Sequence, residues 1–161
     1  MKNPPISPII FFDEEKSSED FNAKEKVSCT IPGKPFAKQR PRASRRGRFT
    51  TVYTPKQTVD YENLVKYSYY QENGLKMLEG PLRCTITGTF NVPESASKKQ
   101  KNLMLEGQIQ HTKKPDCDNM AKIVLDALND VAFHDDSQIT ELHIFKQYGE
   151  TPNVTLTLEE L

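Results

Sequence analysis

Residues 82–90 alternate strictly: Leu82, Cys84, Ile86, Gly88 and Phe90 fall on one side, and Arg83, Thr85, Thr87 and Thr89 on the other. A period of two is the mark of a strand with one face buried. The chain must therefore supply a second layer to cover the apolar side. A helix over about residues 119–130 answers that need, because Met120, Ile123, Val124, Ala127, Leu128 and Val131 recur at helical spacing and leave the opposite face polar.

The remaining elements follow from local signals. Val27, Cys29 and Ile31 alternate with polar residues until Pro32-Gly33 stops them, which predicts a short strand feeding a long loop. Thr54-Pro55 reads as an N-cap followed by proline at the first helical position, and Tyr61, Leu64, Val65, Ser68 and Tyr69 keep helical spacing. A helix over about 56–72, closed near Asn73-Gly74, is expected. Residues after Pro93, with Lys98, Lys99 and Lys101, read as an exposed connection or a helical turn. Two strands near 138–147 and 153–159, joined by a hairpin at 149–153, close the chain. The order β-α-β-α-β-β predicts an α+β single domain with a mixed sheet covered by two main helices.

At 161 residues the chain suits one domain, yet its 35% hydrophobic share is low for a wholly globular sequence. Residues 1–25 account for this. They hold three prolines, a short apolar patch over 9–12 and an acidic stretch, and are expected to form a disordered arm or a peptide that folds on a protein partner. The globular domain is expected over 26–161. The apolar patch is far too short to cross a bilayer and resembles no signal peptide. Cys29, Cys84 and Cys117 are odd in number and widely spaced, which suits a reducing cytoplasm rather than a disulfide framework.

The formal net charge is zero, but the charge is segregated. Lys34, Lys38, Arg40, Arg42, Arg45, Arg46 and Arg48 fall within fifteen positions that contain no acid. Such a run binds the phosphate backbone of nucleic acid through counterion release and carries little sequence information. Phe36, Phe49 and Tyr53 flank it, each either a base-stacking group or a core anchor.

The chemistry concentrates in Asp116-Cys117-Asp118-Asn119, Lys122, Asp126 and Asp135-Asp136-Ser137-Gln138. Asp116 and Asp118 point the same way if the backbone ahead of the helix is extended. Lys122 and Asp126 follow at one-turn intervals on the polar stripe. Asp135 and Asp136 come after a short loop and are expected to fold back beside the start of the helix. Crowded carboxylates are relieved by a cation, and an oxygen-only set favours a hard divalent ion, Mg²⁺ with Mn²⁺ as a substitute, over zinc. An EF-hand fails at Met120 and Ala121. The competing reading makes Asp118 a helix cap and Asp135-Asp136 an ordinary loop. Asp126 stands open between a metal role, a solvated position and pairing with Lys122. His134 is expected to have no special role, and Cys117 to pack away from the aspartates.

This motif resembles the RusA family of Holliday-junction resolvases, whose Asp-x-Asp-Asn-x-x-Lys, Asp-Ala-Leu and Asp-Asp-x-Gln segments occur here in order between residues 113 and 147. The resemblance implies that Asp116, Asp118 and Asp136 are the catalytic metal-binding acids, with Asp135 beside them, and that Lys122 is the catalytic lysine. It further implies a homodimer that binds four-way DNA and cuts it by paired nicks in recombination and repair, leaving 5′-phosphate and 3′-hydroxyl ends. Two other functions remain open on the residues: a catalytically silent binder of branched DNA, and a metal-dependent phosphohydrolase of a smaller substrate.

Overall fold

The computed structural model describes residues 24–161. The expected arm over residues 1–25 lies outside these except at its end, where Glu25 exchanges backbone and side-chain hydrogen bonds with Glu160 and pairs with Lys76 at 3.1 Å. The chain forms β1 (Lys26–Pro32), β2 (Arg42–Arg46), β3 (Phe49–Tyr53), α1 (Lys56–Asn73), β4 (Leu82–Asn91), α2 (Lys98–Leu105), α3 (Cys117–Leu128), a single 3₁₀ turn (Asp136–Gln138), β5 (Ile139–Gly149) and β6 (Asn153–Glu160).

Four strands make the main sheet in the order β1-β6-β4-β5. β4 and β5 run parallel and the other pairs antiparallel, so the sheet is mixed as expected. The alternation in β4 decides its two faces. Leu82, Cys84 and Ile86 are buried with Val27, Cys29 and Ile31 of β1 and Val154, Leu156 and Leu158 of β6, beneath Tyr61, Val65 and Tyr69 of α1 and the apolar stripe of α3. On the other face Arg83 bridges both neighbouring strands, reaching Glu141 at 2.6 Å and Glu159 at 3.2 Å. Gly88 lies under α3, where a β-carbon would come within 2.6 Å of the Met120 sulfur. That position sets how closely the helix start approaches the sheet.

The two edges of the sheet are treated differently. On β1, Glu72 accepts from the Thr30 N–H at 2.9 Å and Asn73 donates to the Ser28 carbonyl at 2.8 Å, so the end of α1 occupies that edge. β5 is the opposite edge, and there Leu142 and Phe145 are exposed.

Three features differ from expectation. β5 and β6 are not joined as a hairpin: β4 lies between them and pairs with both, parallel to β5 and antiparallel to β6, so the connection over 149–153 crosses the end of β4. The basic stretch is not a loop but leads into a hairpin, β2–β3, standing as its own two-stranded sheet. Gly47, at φ 64°, opens the two-residue turn between Arg46 and Phe49, the position a type II′ hairpin reserves for glycine. The residues after Pro93 include a complete helix, α2, because Ser97 and Gln100 form a reciprocal capping box. One smaller revision concerns α1: Pro55, not Thr54, is its cap residue, and its carbonyl accepts from the Thr58 N–H at 3.0 Å.

Candidate metal centre and nucleic-acid surface

The start of α3 is built from the sheet outward. His111 stacks on Phe90 at 3.7 Å, and Lys146 of β5 donates to the carbonyls of Lys113 (2.8 Å) and Pro115 (3.0 Å). This clamp fixes the segment that delivers Asp116 to the head of α3. His111 is buried with Nδ1 unpartnered, and burial, reinforced by the charge of Lys146, holds its pKa below the ordinary histidine value. No spacing signature marks a stacked core histidine, so His111 is not legible from its neighbours along the chain.

Asp116 is the N-cap residue of α3, in extended conformation, yet its side chain makes no capping hydrogen bond. An N-cap aspartate ordinarily spends an oxygen on the second or third helical N–H. Asp118 follows in the first turn, exposed, and Lys122 is exposed one turn on. Both carboxylates therefore stand at a helix N-terminus with their oxygens unspent among the described residues, and the apolar side of the same helix is locked in the core. Cys117 between them is exposed rather than packed.

The other acids of the motif sort into spent and unspent. Asp126 pairs with Lys38, which also approaches Glu62 at 3.5 Å, so its partner is the basic segment and not Lys122. Burial works to lower the Lys38 pKa, but the hydrogen bond and charge of Asp126, with Glu62 behind them, outweigh it and hold the pKa above its ordinary value. Asp135 accepts from the Ser137 N–H at 2.9 Å, and the Ser137 side chain together with that backbone bond holds its carboxyl below the usual range. Gln138 completes a capping box by accepting from the N–H groups of His134 and Asp135, and it donates to the Gly80 carbonyl at 3.0 Å. Asp136 is exposed in the same turn and makes no side-chain hydrogen bond or ion pair among the described residues. His134 is exposed, with Nε2 3.3 Å from Glu79, and belongs to no acid cluster.

The expectation that Asp136 folds back beside Asp116 and Asp118 is not met within one chain. The segment after α3 stays at the far end of the helix, where Asn129 bridges to Phe133 and Leu78 donates to the Ala132 carbonyl. Asp118 and Leu128 alone are separated by about 15 Å of helix at ~1.5 Å per residue. Accordingly, no three acids, histidines or cysteines gather into a metal-holding group among the described residues. Asp116 and Asp118 still fit a hard cation, since Mg²⁺ is commonly held by one or two carboxylates together with water and substrate phosphate.

The seven cations of the basic run serve different places. Lys34 lines a groove of about 210 Å³ with His111, Lys113 and Tyr148. Lys38 is taken up by Asp126, and its N–H donates to the Asn119 carbonyl at 3.1 Å, rooting the segment beside Asp118. Arg40 shares a groove of about 290 Å³ with Lys122 and Asn119. Arg42, Arg45 and Arg48 are exposed along the hairpin, and Arg46 pairs in register with Phe49. Phe36 is a core anchor against Tyr61, with ring centroids 5.4 Å apart, whereas Phe49 and Tyr53 are exposed.

The sequence model of the family described as endodeoxyribonuclease RusA matches residues 32–159. A Bacillus subtilis (strain 168) protein named uncharacterized protein YqaN is 32% identical over 137 residues, covering 84% of this chain and 96% of that protein. The family match takes in the hairpin, β4, the whole of α3 and β5, and begins at the last residue of β1.

Proposed function

The chain belongs to the RusA family of endodeoxyribonucleases, enzymes that act on branched DNA, and from that premise we propose that it is a Mg²⁺-dependent resolvase of four-way junctions. It introduces paired nicks and leaves 5′-phosphate and 3′-hydroxyl ends, as part of cytoplasmic DNA recombination and repair. The observation that carries the metal assignment is the sorting of the acids. Asp126 pairs with Lys38 and Asp135 accepts the Ser137 N–H on one oxygen, while Asp116, Asp118 and Asp136 make no side-chain hydrogen bond or ion pair among the described residues. Those three are the acids that the family motif marks as catalytic.

Asp116 and Asp118 would hold the cation at the head of α3. When bound, it neutralises charge on the scissile phosphate and makes a water more acidic, which in-line phosphodiester hydrolysis requires; Mn²⁺ supports the same chemistry. Lys122 and Arg40 face one groove beside this point and orient the neighbouring phosphates. The helix N-terminus adds a favourable field for an incoming phosphate.

Asp136 joins this centre from a second copy. Among the described residues β5 pairs with no strand beyond β4, and it exposes Leu142 and Phe145, its start next to Asp136 and its end next to the Lys146 clamp. Antiparallel pairing of two β5 edges about a twofold axis sets the start of one strand beside the end of the other. Asp136 of each copy is thereby directed toward Asp116 and Asp118 of its mate.

The test uses a synthetic four-way junction and a matched linear duplex, each with and without Mg²⁺. Symmetric nicks confined to the junction, absent without Mg²⁺ and absent in Asp118→Asn while junction binding persists, are expected. Equal cutting of the duplex removes the junction specificity, and binding without cutting makes the protein a silent binder. Co-expressed Asp118→Asn and Asp136→Asn chains should regain single-strand nicking that neither homodimer shows, because one mixed site is intact. No recovery would end the shared-site reading.

A further inference from the structure

The β2–β3 hairpin is unexplained by the fold. It pairs with no strand of the main sheet, and an isolated two-stranded ribbon is marginal in water. Even so it displays Phe49 at 80%, Val52 at 67% and Tyr53 at 47% exposure. Strand alternation orders its faces. Phe49, Thr51 and Tyr53 share one row of β3, with Arg42 opposite Tyr53 and Ser44 opposite Thr51. Ala43 opposite Val52 and Arg45 opposite Thr50 make up the other face. From Lys34 to Val59 there is no acidic residue. The hairpin is rooted beside the metal-holding carboxylates, since Lys38 is fixed to Asn119 and Asp126 of α3.

Resting on the branched-DNA reading, we propose that this hairpin is a base-stacking arm in which Phe49 packs against an unstacked base at the branch point while Arg42, Arg45 and Arg48 hold the flanking phosphates. An aromatic ring at the tip of a cationic ribbon matches the two surfaces that an opened junction offers: the π-face of an unpaired base and the backbone on either side. A continuous duplex offers only the second. Phe49 is therefore a specificity residue: it distinguishes branched from linear DNA, and the arginines do not. The root on α3 places the branch point within one arm's length of Asp116 and Asp118.

The test uses the full chain without divalent metal, titrated against three DNAs: a four-way junction carrying 2-aminopurine at the branch point, a linear duplex and a single-stranded oligonucleotide. Phe49→Ala should weaken junction binding about tenfold, the size of one lost base–aromatic stack. It should also abolish the 2-aminopurine emission change, leave duplex binding within about twofold and keep the melting temperature. Phe49→Trp should restore both junction readouts. Unchanged junction affinity and emission in Phe49→Ala would overturn the proposal, as would conversion of a dimer to monomers on sedimentation, which would make Phe49 a contact between copies. If the wild-type chain shows no preference for the junction, the branched-DNA reading fails. The single-stranded oligonucleotide then decides the stacking role: loss of affinity in Phe49→Ala upholds it and unchanged affinity ends it.

Discussion

α3 and the β2–β3 hairpin carry charge toward the same place but are built in opposite ways. α3 buries seven of its twelve residues, so its polar stripe of Asp118, Lys122 and Asp126 is held by a fully packed reverse side. The hairpin is built the other way: each of its β3 residues is exposed, as are Arg42, Ala43, Ser44 and Arg45 of β2. Metal chemistry tolerates little displacement of its ligands, whereas a surface that follows a flexible junction gains from reach and compliance. Lys38 is the joint between the two regimes, its backbone fixed to α3 and its ammonium held by Asp126 and Glu62.

The contrast breaks most visibly in stability. Ile123→Ala opens a cavity under α3 and should cost about 2–5 kcal/mol, while Val52→Ala on the hairpin should stay within about 0.5 kcal/mol; urea denaturation of the two variants compares them directly. A large loss in the hairpin variant would mean that the hairpin is packed after all. Next in size is the binding contrast. Replacing Arg42, Arg45 and Arg48 together by Gln should flatten the dependence of log affinity on log salt by up to about 2.7, at ~0.9 per lost phosphate contact. Lys122→Gln should reduce the cutting rate far more than it changes that slope.

The joint itself is tested by Asp126→Asn. Loss of a part-buried charge partner for Lys38 should cost about 1–2 kcal/mol in unfolding measurements. Cutting should fall through a weaker KM rather than a lower rate at saturation, because the hairpin root loosens while Asp116 and Asp118 stay in place. The smallest effect is a pH slope from His111. Its folded pKa is lowered, so between that value and the unfolded value near 6.5 the unfolded chain binds more protons. Stability should therefore decline as pH falls below about 6.5, and His111→Phe should flatten the decline in denaturant midpoints taken from pH 7 to pH 5.

Much of this was legible in the chain itself. The alternation in β4 and the stripe in α3 are period signals, strong because a burial face is imposed at every turn or every second residue. The acidic motif was equally plain. The hairpin is harder to read: Gly47 and the run Thr50-Thr51-Val52-Tyr53 mark a turn and a strand, but the arginines mask the β pattern. The capping box Ser97-Lys98-Lys99-Gln100 marked α2 just as openly.

The amino-acid sequence by itself determined the layers, the order of the main elements, the family and which acids are available for chemistry, because these depend on periodicity and residue type along a short stretch. Only the tertiary structure decided which acids remain unspent. Asp126 is equal to its neighbours in the sequence, and it is the approach of Lys38 from 88 residues away that removes it, whereas the bond that Asp135 accepts from the Ser137 N–H is local. The structure alone also set Asp136 at the other end of α3 from Asp116. The direction of the chain after a helix depends on what the following loop packs against, and here that is Leu78 and Gly80 rather than the head of α3.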